Sequence, residues 1–349
     1  MYLFPPFLVR RGVLVALLTA AFSGLLLVGC GRVETTFTGG TMETTYMVKV
    51  VGDRSSKTRH LKALIDRRLE AVNASMSTFR PDSELSRFNA QDKAGAPFTP
   101  SKDFLAVMRA AAEVYATTGG AWDGTLDPLI TLWGFGRDQQ KGHVPPASEI
   151  EALLPRVGFD HITITPEGRL IKADGRLTLD LASIAKGYGV DAIARLLAHQ
   201  GYSDYLVEVG GEIFAAGHRL DGKPWRVGIN RPDREAGFSE VYKVVDLSDK
   251  GFATSGDYRN YFEAGGRTYS HILDPRTGYP ITNGVVSASV MADTCTLADG
   301  LATALMVMGP DSGLALVETL PQVEALIIVR REEGRLEEHA SRGFPVEEK

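Results

Sequence analysis

The sequence predicts an α+β fold built mainly from antiparallel strands. Short strand patterns follow one another with turn residues between them, and amphipathic helices interrupt these runs instead of alternating with every strand. Hydrophobic residues make up 44% of the chain, enough for a large packed core. A length of 349 residues has room for one large domain or for two intimately joined lobes. No short repeat occurs.

The first element is an address. Arg10 and Arg11 precede an uncharged apolar run over residues 12–28, and Leu27, Val28 and Gly29 lead into Cys30. A small residue before cysteine is what lipoprotein signal peptidase requires. The seventeen-residue run is at the short limit for crossing a hydrocarbon core of about 30 Å, and no basic stop-transfer cluster follows. Residues 1–29 are therefore expected to be a cleaved lipoprotein signal. Cys30 would carry the acyl chains, palmitate included, and hold the body at the membrane on the periplasmic side. The remaining 320 residues carry 36 basic against 43 acidic groups, a balance of −7 that argues against nucleic acid as a partner. Cys295 is the only other cysteine, so stability must come from packing and not from an internal disulfide.

Residues 30–43, polar and rich in Gly and Thr, read as a lipidated tether, with the folded body over 44–349. A strand near 44–51 leads to a helix near 57–73, with Leu61, Leu64, Ile65, Leu69 and Val72 at helical spacing. A second helix spans about 102–118 and closes at Gly119 and Gly120. Ser148 to Glu151 forms a capping-box pattern opening a short helix. Strands then follow near 161–165, 169–173 and 177–181, separated by Gly-bearing turns. A helix over about 184–199 precedes strands near 205–209, 213–216, 225–229, 242–247, 266–271 and 287–291. A helix over about 296–308, ended by Gly309 and Pro310, and a final helix and hairpin complete the pattern.

Three constellations carry chemistry. The first is the stretch from Asp180 to Gly189, read as a strand entering a helix, with Asp180, Lys186, Gly187 and Gly189 at the junction. Unpaired N–H groups and partial positive charge at a helix N-terminus suit a phosphate, and Lys186 adds a full charge. The P-loop spacing is absent, which removes the main support for the ordinary nucleotide triphosphatase reading; a local cap by Asp180 is the simpler alternative. The second is Asp299 and Thr303, one turn apart on one helix face. Two hard oxygens at that spacing suit Mg²⁺, although capping and back-bonding roles would produce the same pattern. The third is His271, at a strand end entering the turn of Asp274 to Gly278; histidine is suited to moving protons near neutral pH, and a structural role is the alternative. The strings Thr254 to Tyr258 and Val209 to Glu212 add glycine-bearing loops that permit close backbone approach to a ligand.

Taken in order, these strings resemble the ApbE-type FAD:protein FMN transferases. The resemblance rests also on Met76 to Phe79, Asp82 to Asn89, Ala121 to Leu129 and Trp133 to Gly136, and it spans essentially the whole body. It implies two α+β lobes with the flavin between them. It also implies Mg²⁺-dependent cleavage of FAD, transfer of FMN to a Thr or Ser hydroxyl of an acceptor protein, and release of AMP. The acceptor would be an exported loop of a membrane-bound electron-transfer reductase subunit. Carried over by position, Met42, Phe79, Ala121, Trp122, Asp123, Asp180, Lys186 and the backbone near Leu273 would contact FAD. Ser183 through its carbonyl, Asp299 and Thr303 would hold Mg²⁺. Glu43 stands where the family usually has Gly, and Ser183 where Gly or Ala is usual.

A hydroxyl nucleophile needs a base; His271 is the first candidate and Asp257 the second. Phe79 and Trp122 are candidates to cover the flavin ring, with core packing as the other use of each. Two further functions fit the same residues: a metal-dependent FAD pyrophosphatase releasing FMN and AMP, and a flavin-binding lipoprotein without turnover.

Overall fold

The computed structural model describes residues 31–53, 57–136, 142–233, 235, 240–258, 260–331 and 334–345, without the side chains of 57–59. The leader and Cys30 lie outside the described residues. Strands β1 (Arg32–Thr41) and β2 (Thr44–Asp53) form an antiparallel hairpin. This corrects the tether expected over 30–43: from Arg32 onward the segment pairs with β2 along its full length. Its Thr, Val and Phe residues favour the extended state, and as an edge strand it keeps alternate polar residues in solvent, the feature that makes it read as a tether. The two-residue turn consists of Met42 and Glu43, both left-handed with φ of 49° and 57°. Glu43 bears a steric cost of roughly 1 kcal/mol that Gly would avoid.

Helices α1 (Lys57–Met76), α2 (Glu84–Asn89) and α3 (Lys102–Thr117) follow, with the short strand β3 (Pro97–Phe98) between the last two. Ser83 and Ser101 cap α2 and α3 by accepting the N–H of Ser86 and Phe104. Next come α4 (Asp127–Leu132) and α5 (Ala147–Leu153). The expected capping box at Ser148 does not form, because α5 already begins at Ala147 behind Pro146, with no side-chain cap. Strands β4 (Ile162–Ile164) and β5 (Leu170–Lys172) join β3 in a small sheet of order β3-β5-β4.

The strand expected over 177–181 is also absent. Leu177, Leu179 and Leu181 are buried in alternation as a strand would bury them. Their backbone, however, is held by other means. Asn89 exchanges two hydrogen bonds with Leu179 through its side-chain amide (2.8 and 2.9 Å), and Asp180 N–H donates to the Gly124 carbonyl at 2.8 Å. Lys172, 1% exposed, ties the start of the segment to its surroundings: its ammonium reaches the Leu177 carbonyl and those of Asn89, Gln91 and Gly175 at 2.8 to 3.4 Å.

From there α6 (Ala182–His199) leads to β6 (Asp204–Val209), β7 (Glu212–Ala216), the hairpin β8 (Trp225–Asn230) and β9 (Val241–Leu247), and β10 (Lys250–Gly256). A second hairpin, β11 (Tyr261–Ala264) and β12 (Arg267–Ser270), precedes β13 (Val285–Ala292), α7 (Cys295–Val317), β14 (Glu324–Arg330) and β15 (Leu336–Ala340). The expected stop at Gly309 is present as a break: φ 76° and ψ 176° there divide α7 into two helical segments. The main sheet has eight strands, all pairings antiparallel, in the order β1-β2-β6-β7-β10-β13-β14-β15.

Both sheet faces are covered, as the near-continuous burial along β6, β13 and β14 requires. On one face α1 and α6 pack over β2 and β6 through Leu61, Ile65, Val190, Ile193, Val48 and Val207. Further along that layer, a continuous apolar cluster joins Phe88, Phe104 and Leu170 of the small-sheet region to Leu301, Leu305, Val290 and Ile327. The other face takes the β8–β9 hairpin, with Trp225, Val227 and Val245 against Leu206, Phe252, Leu326 and Ile328.

Candidate functional site

The start of α7 is locked onto the middle of α6. Asp191 of α6 accepts the N–H groups of Cys295 and Thr296, both at 2.9 Å, while Thr294 caps Leu297 N–H, so the first turn of α7 is fixed against α6. The approach is close enough to require glycine. A Cβ on Gly187 would lie 2.4 Å from the Cys295 carbonyl oxygen and 2.8 Å from Asp299 Cβ. The Gly187 N–H reaches Asp299 Oδ2 at 2.9 Å, and a regular helix aims that same N–H toward the Ser183 carbonyl.

Of the residues at this crossing, Ser183 and Asp299 line a cavity of about 670 Å³. Of the residues singled out from the sequence, it brings together Ala121, Trp122, Asp123, Asp180, Ser183, Lys186, His271, Leu273, Asp299 and Thr303. Three others are not among its lining residues. Met42 packs between the two helix-side cores, with Sδ 3.3 Å from where a Gly189 Cβ would be. Phe79 is 53% exposed on the loop before α2. Asp257 donates its N–H to the Val286 carbonyl, and its neighbours Gly256 and Tyr258 face the cavity instead.

Lys186 stands between two carboxylates, with Nζ 2.9 Å from Glu212 Oε1 and 3.8 Å from Asp299 Oδ1. Asp299 is only 2% exposed, and burial raises its carboxyl against the pull of Lys186 and the Gly187 N–H. Burial likewise pushes the Glu212 carboxyl up to about 7, opposed by Lys186. For Lys186 burial works the other way, yet Asp299 and Glu212 outweigh it and hold the ammonium above its ordinary value. Glu212 enters through the left-handed glycines Gly210 (φ 63°) and Gly211 (φ 106°) that turn β6 into β7. Its Oε2 is buried without a hydrogen-bond partner among the described residues, which costs about 1–3 kcal/mol if nothing else supplies a donor.

The remaining walls are more constrained. Thr303 Oγ1 lies 3.0 Å from Ser255 Oγ. Asp180 Oδ1 accepts Ala182 N–H at 2.8 Å, an entry cap for α6. Asp123 accepts the Thr125 N–H and hydroxyl and the Phe159 N–H, so its oxygens brace its own loop; burial raises its carboxyl. Trp122 is 1% exposed, packs against Phe159 and donates its indole N–H to Ser183 Oγ at 2.9 Å, which gives its ring a packing role. His271 Nδ1 lies 3.0 Å from the Asn260 carbonyl, which also accepts the His271 backbone N–H at 3.0 Å. A carbonyl oxygen only accepts, so Nδ1 carries the proton and the lone pair of the neutral ring is on Nε2.

A cation fits this donor set: one carboxylate, one hydroxyl and a nearby backbone carbonyl are hard oxygens, which suit Mg²⁺ completed by water and phosphate oxygens. Among the described residues no group of three or more His, Cys, Asp or Glu forms a thiolate- or imidazole-type site. Sequence reasoning quoted Glu212 within a glycine string without assigning it a place in the site, and passed over Asn260. The paired glycines before Glu212 were the available signal; Asn260 has none.

The profile of the ApbE family matches residues 42–327. Over 333 residues the chain is 45% identical to a protein of Vibrio cholerae serotype O1 named FAD:protein FMN transferase, covering 94% of this chain and 97% of that one. The solved structure of the flavin transferase ApbE from Vibrio cholerae superposes with a TM-score of 0.80 at 44% identity, covering 90% of this chain and 98% of that one. The ApbE protein of Thermotoga maritima, at 28% identity, gives 0.76 over 89% and 97% of the two chains.

Proposed function

The chain belongs to the ApbE family, and from that premise we propose that it cleaves FAD and transfers FMN to a Thr or Ser hydroxyl of an acceptor protein, with AMP as the leaving group. The observation that carries this reading is the placement of Lys186, Asp299 and Thr303 in the same cavity as His271. The acceptor oxygen attacks the flavin-side phosphorus, a phosphoester forms, the anhydride P–O bond breaks, and the electron pair departs with AMP. His271 Nε2 takes the hydroxyl proton. Lys186 places an ammonium against the anhydride oxygens, where charge accumulates as the bond breaks. Mg²⁺ held by Asp299, Thr303 and the Ser183 carbonyl would act as a Lewis acid toward those oxygens. Asp180, Ala121, Trp122, Asp123 and Leu273 shape the wall against which FAD lies.

The location proposed is the periplasmic face of the membrane, with Cys30 lipidated; the apolar run over 12–28 and the small residue before Cys30 support it. The acceptor proposed is an exported loop of a membrane-bound electron-transfer subunit. Mass spectrometry of such a loop after incubation with the protein, FAD and Mg²⁺ tests the reading. Covalent FMN on Thr or Ser is expected, and a loss of about 10²- to 10⁴-fold with His271→Ala at unchanged FAD affinity. AMP and free FMN without a labelled acceptor would make the protein a pyrophosphatase, and FAD binding without AMP a flavin carrier.

A further inference from the structure

Glu212 differs from the other buried carboxylates of the molecule. Asp191 and Asp123 engage their oxygens with backbone N–H groups. Glu212, 4% exposed, has Lys186 on Oε1 at 2.9 Å and no hydrogen-bond partner for Oε2 among the described residues. Its backbone is fixed in the main sheet at the start of β7, where it pairs with Val209, so Glu212 can follow a moving Lys186 only within the reach of its own side chain. Lys186, on a long side chain from α6, has two carboxylates in reach and sits nearer Glu212, with Asp299 at 3.8 Å.

Without Glu212, attraction to the remaining carboxylate would draw the ammonium onto Asp299 Oδ1. The other oxygen of Asp299 already accepts the Gly187 N–H, so both would then be engaged by protein donors. We propose that Glu212 is a positioning residue that holds the Lys186 ammonium off Asp299 and keeps that carboxylate available to a divalent cation. The inference rests on the assignment of Mg²⁺ to Asp299 and Thr303.

The test is calorimetric titration of Mg²⁺ into the flavin-free protein at pH 8.5, with wild type, Glu212→Gln, Lys186→Met and the double variant. The expected result is an affinity roughly tenfold weaker in Glu212→Gln, and a change of no more than about twofold when the same substitution is made in Lys186→Met, where there is no ammonium to hold back. An equal loss in both backgrounds would make Glu212 act on the cation directly and overturn the proposal, as would unchanged affinity in the single variant. Absence of Mg²⁺ binding in wild type would overturn the metal assignment and this inference together. Should Glu212→Gln fail to fold, Glu212→Asp keeps the charge but shortens its reach; weaker Mg²⁺ binding is expected, and unchanged binding overturns the proposal.

Discussion

Two lysines, fourteen positions apart, one buried and one half-buried, have opposite surroundings. Lys172 meets four backbone carbonyls and the face of Phe88, its ammonium 5.0 Å from the ring centroid. Lys186 meets two carboxylates at the wall of a cavity. Burial pulls Lys172 down to about 8, with Asp174 and Asp92 opposing, whereas the carboxylates lift Lys186. Four acceptors exhaust the three N–H donors of Lys172, so it has nothing to offer a ligand and serves to hold the approach to Asp180 in place. The comparison teaches that burial of a charge does not identify a functional group; the identity of its partners and the space they leave do.

The largest expected effect tests the functional member. Lys186→Met should lower single-turnover AMP release from saturating FAD by about 10²- to 10³-fold. The fold should survive, because Glu212, already pushed to about 7, can take up a proton in place of its lost partner. Near wild-type turnover would end the distinction between the lysines.

Next is the structural member. Lys172→Met strands four carbonyls and should destabilise by about 3 kcal/mol, read as a melting temperature lower by roughly 5 °C, with transfer per folded molecule within about twofold of wild type. A fall in turnover as deep as that of Lys186→Met, at unchanged melting temperature, would break the comparison.

The smallest effect is the pH dependence of Lys172. Its folded pKa lies below the unfolded value of about 10.4, so between pH 8 and 10 the unfolded chain binds more protons and stability should rise with pH through this group. Melting temperatures at pH 7.5 and 9.5 should show that increment in wild type and lack it in Lys172→Met. The same slope in both proteins would assign it elsewhere.

The sequence discloses the strands wherever a strand-length hydrophobic pattern and ladder pairing coincide, alternating in β8 and near-continuous in β6 and β14. It misleads where they separate. Leu177, Leu179 and Leu181 alternate as in a strand, but their partner is the side chain of Asn89, 90 residues away from Leu179, and no local pattern reports that. In β1 the reverse holds: the ladder is complete while the polar edge disguises it. Asp299 and Thr303 are legible from one helical turn, and Lys186 from its junction. The meeting of the two depends on the α6–α7 crossing at Gly187, for which the glycine in the string was the sole local trace. Met42, Phe79 and Asp257 are the expected site residues that lie outside the cavity lining.

The full pairing of β1 also limits reach. A flexible tether of fourteen residues would let the body range nearly 50 Å from an anchor at Cys30. Since the sheet begins at Arg32, only the step across Gly31 remains, about 7 Å of slack. With lipid on Cys30, the edge of the main sheet would ride almost at the headgroups, and the enzyme would patrol a thin layer instead of a volume. An acceptor hydroxyl would then have to be presented within one body-length of the bilayer, which selects substrates by their height above the membrane before any contact selects them by sequence.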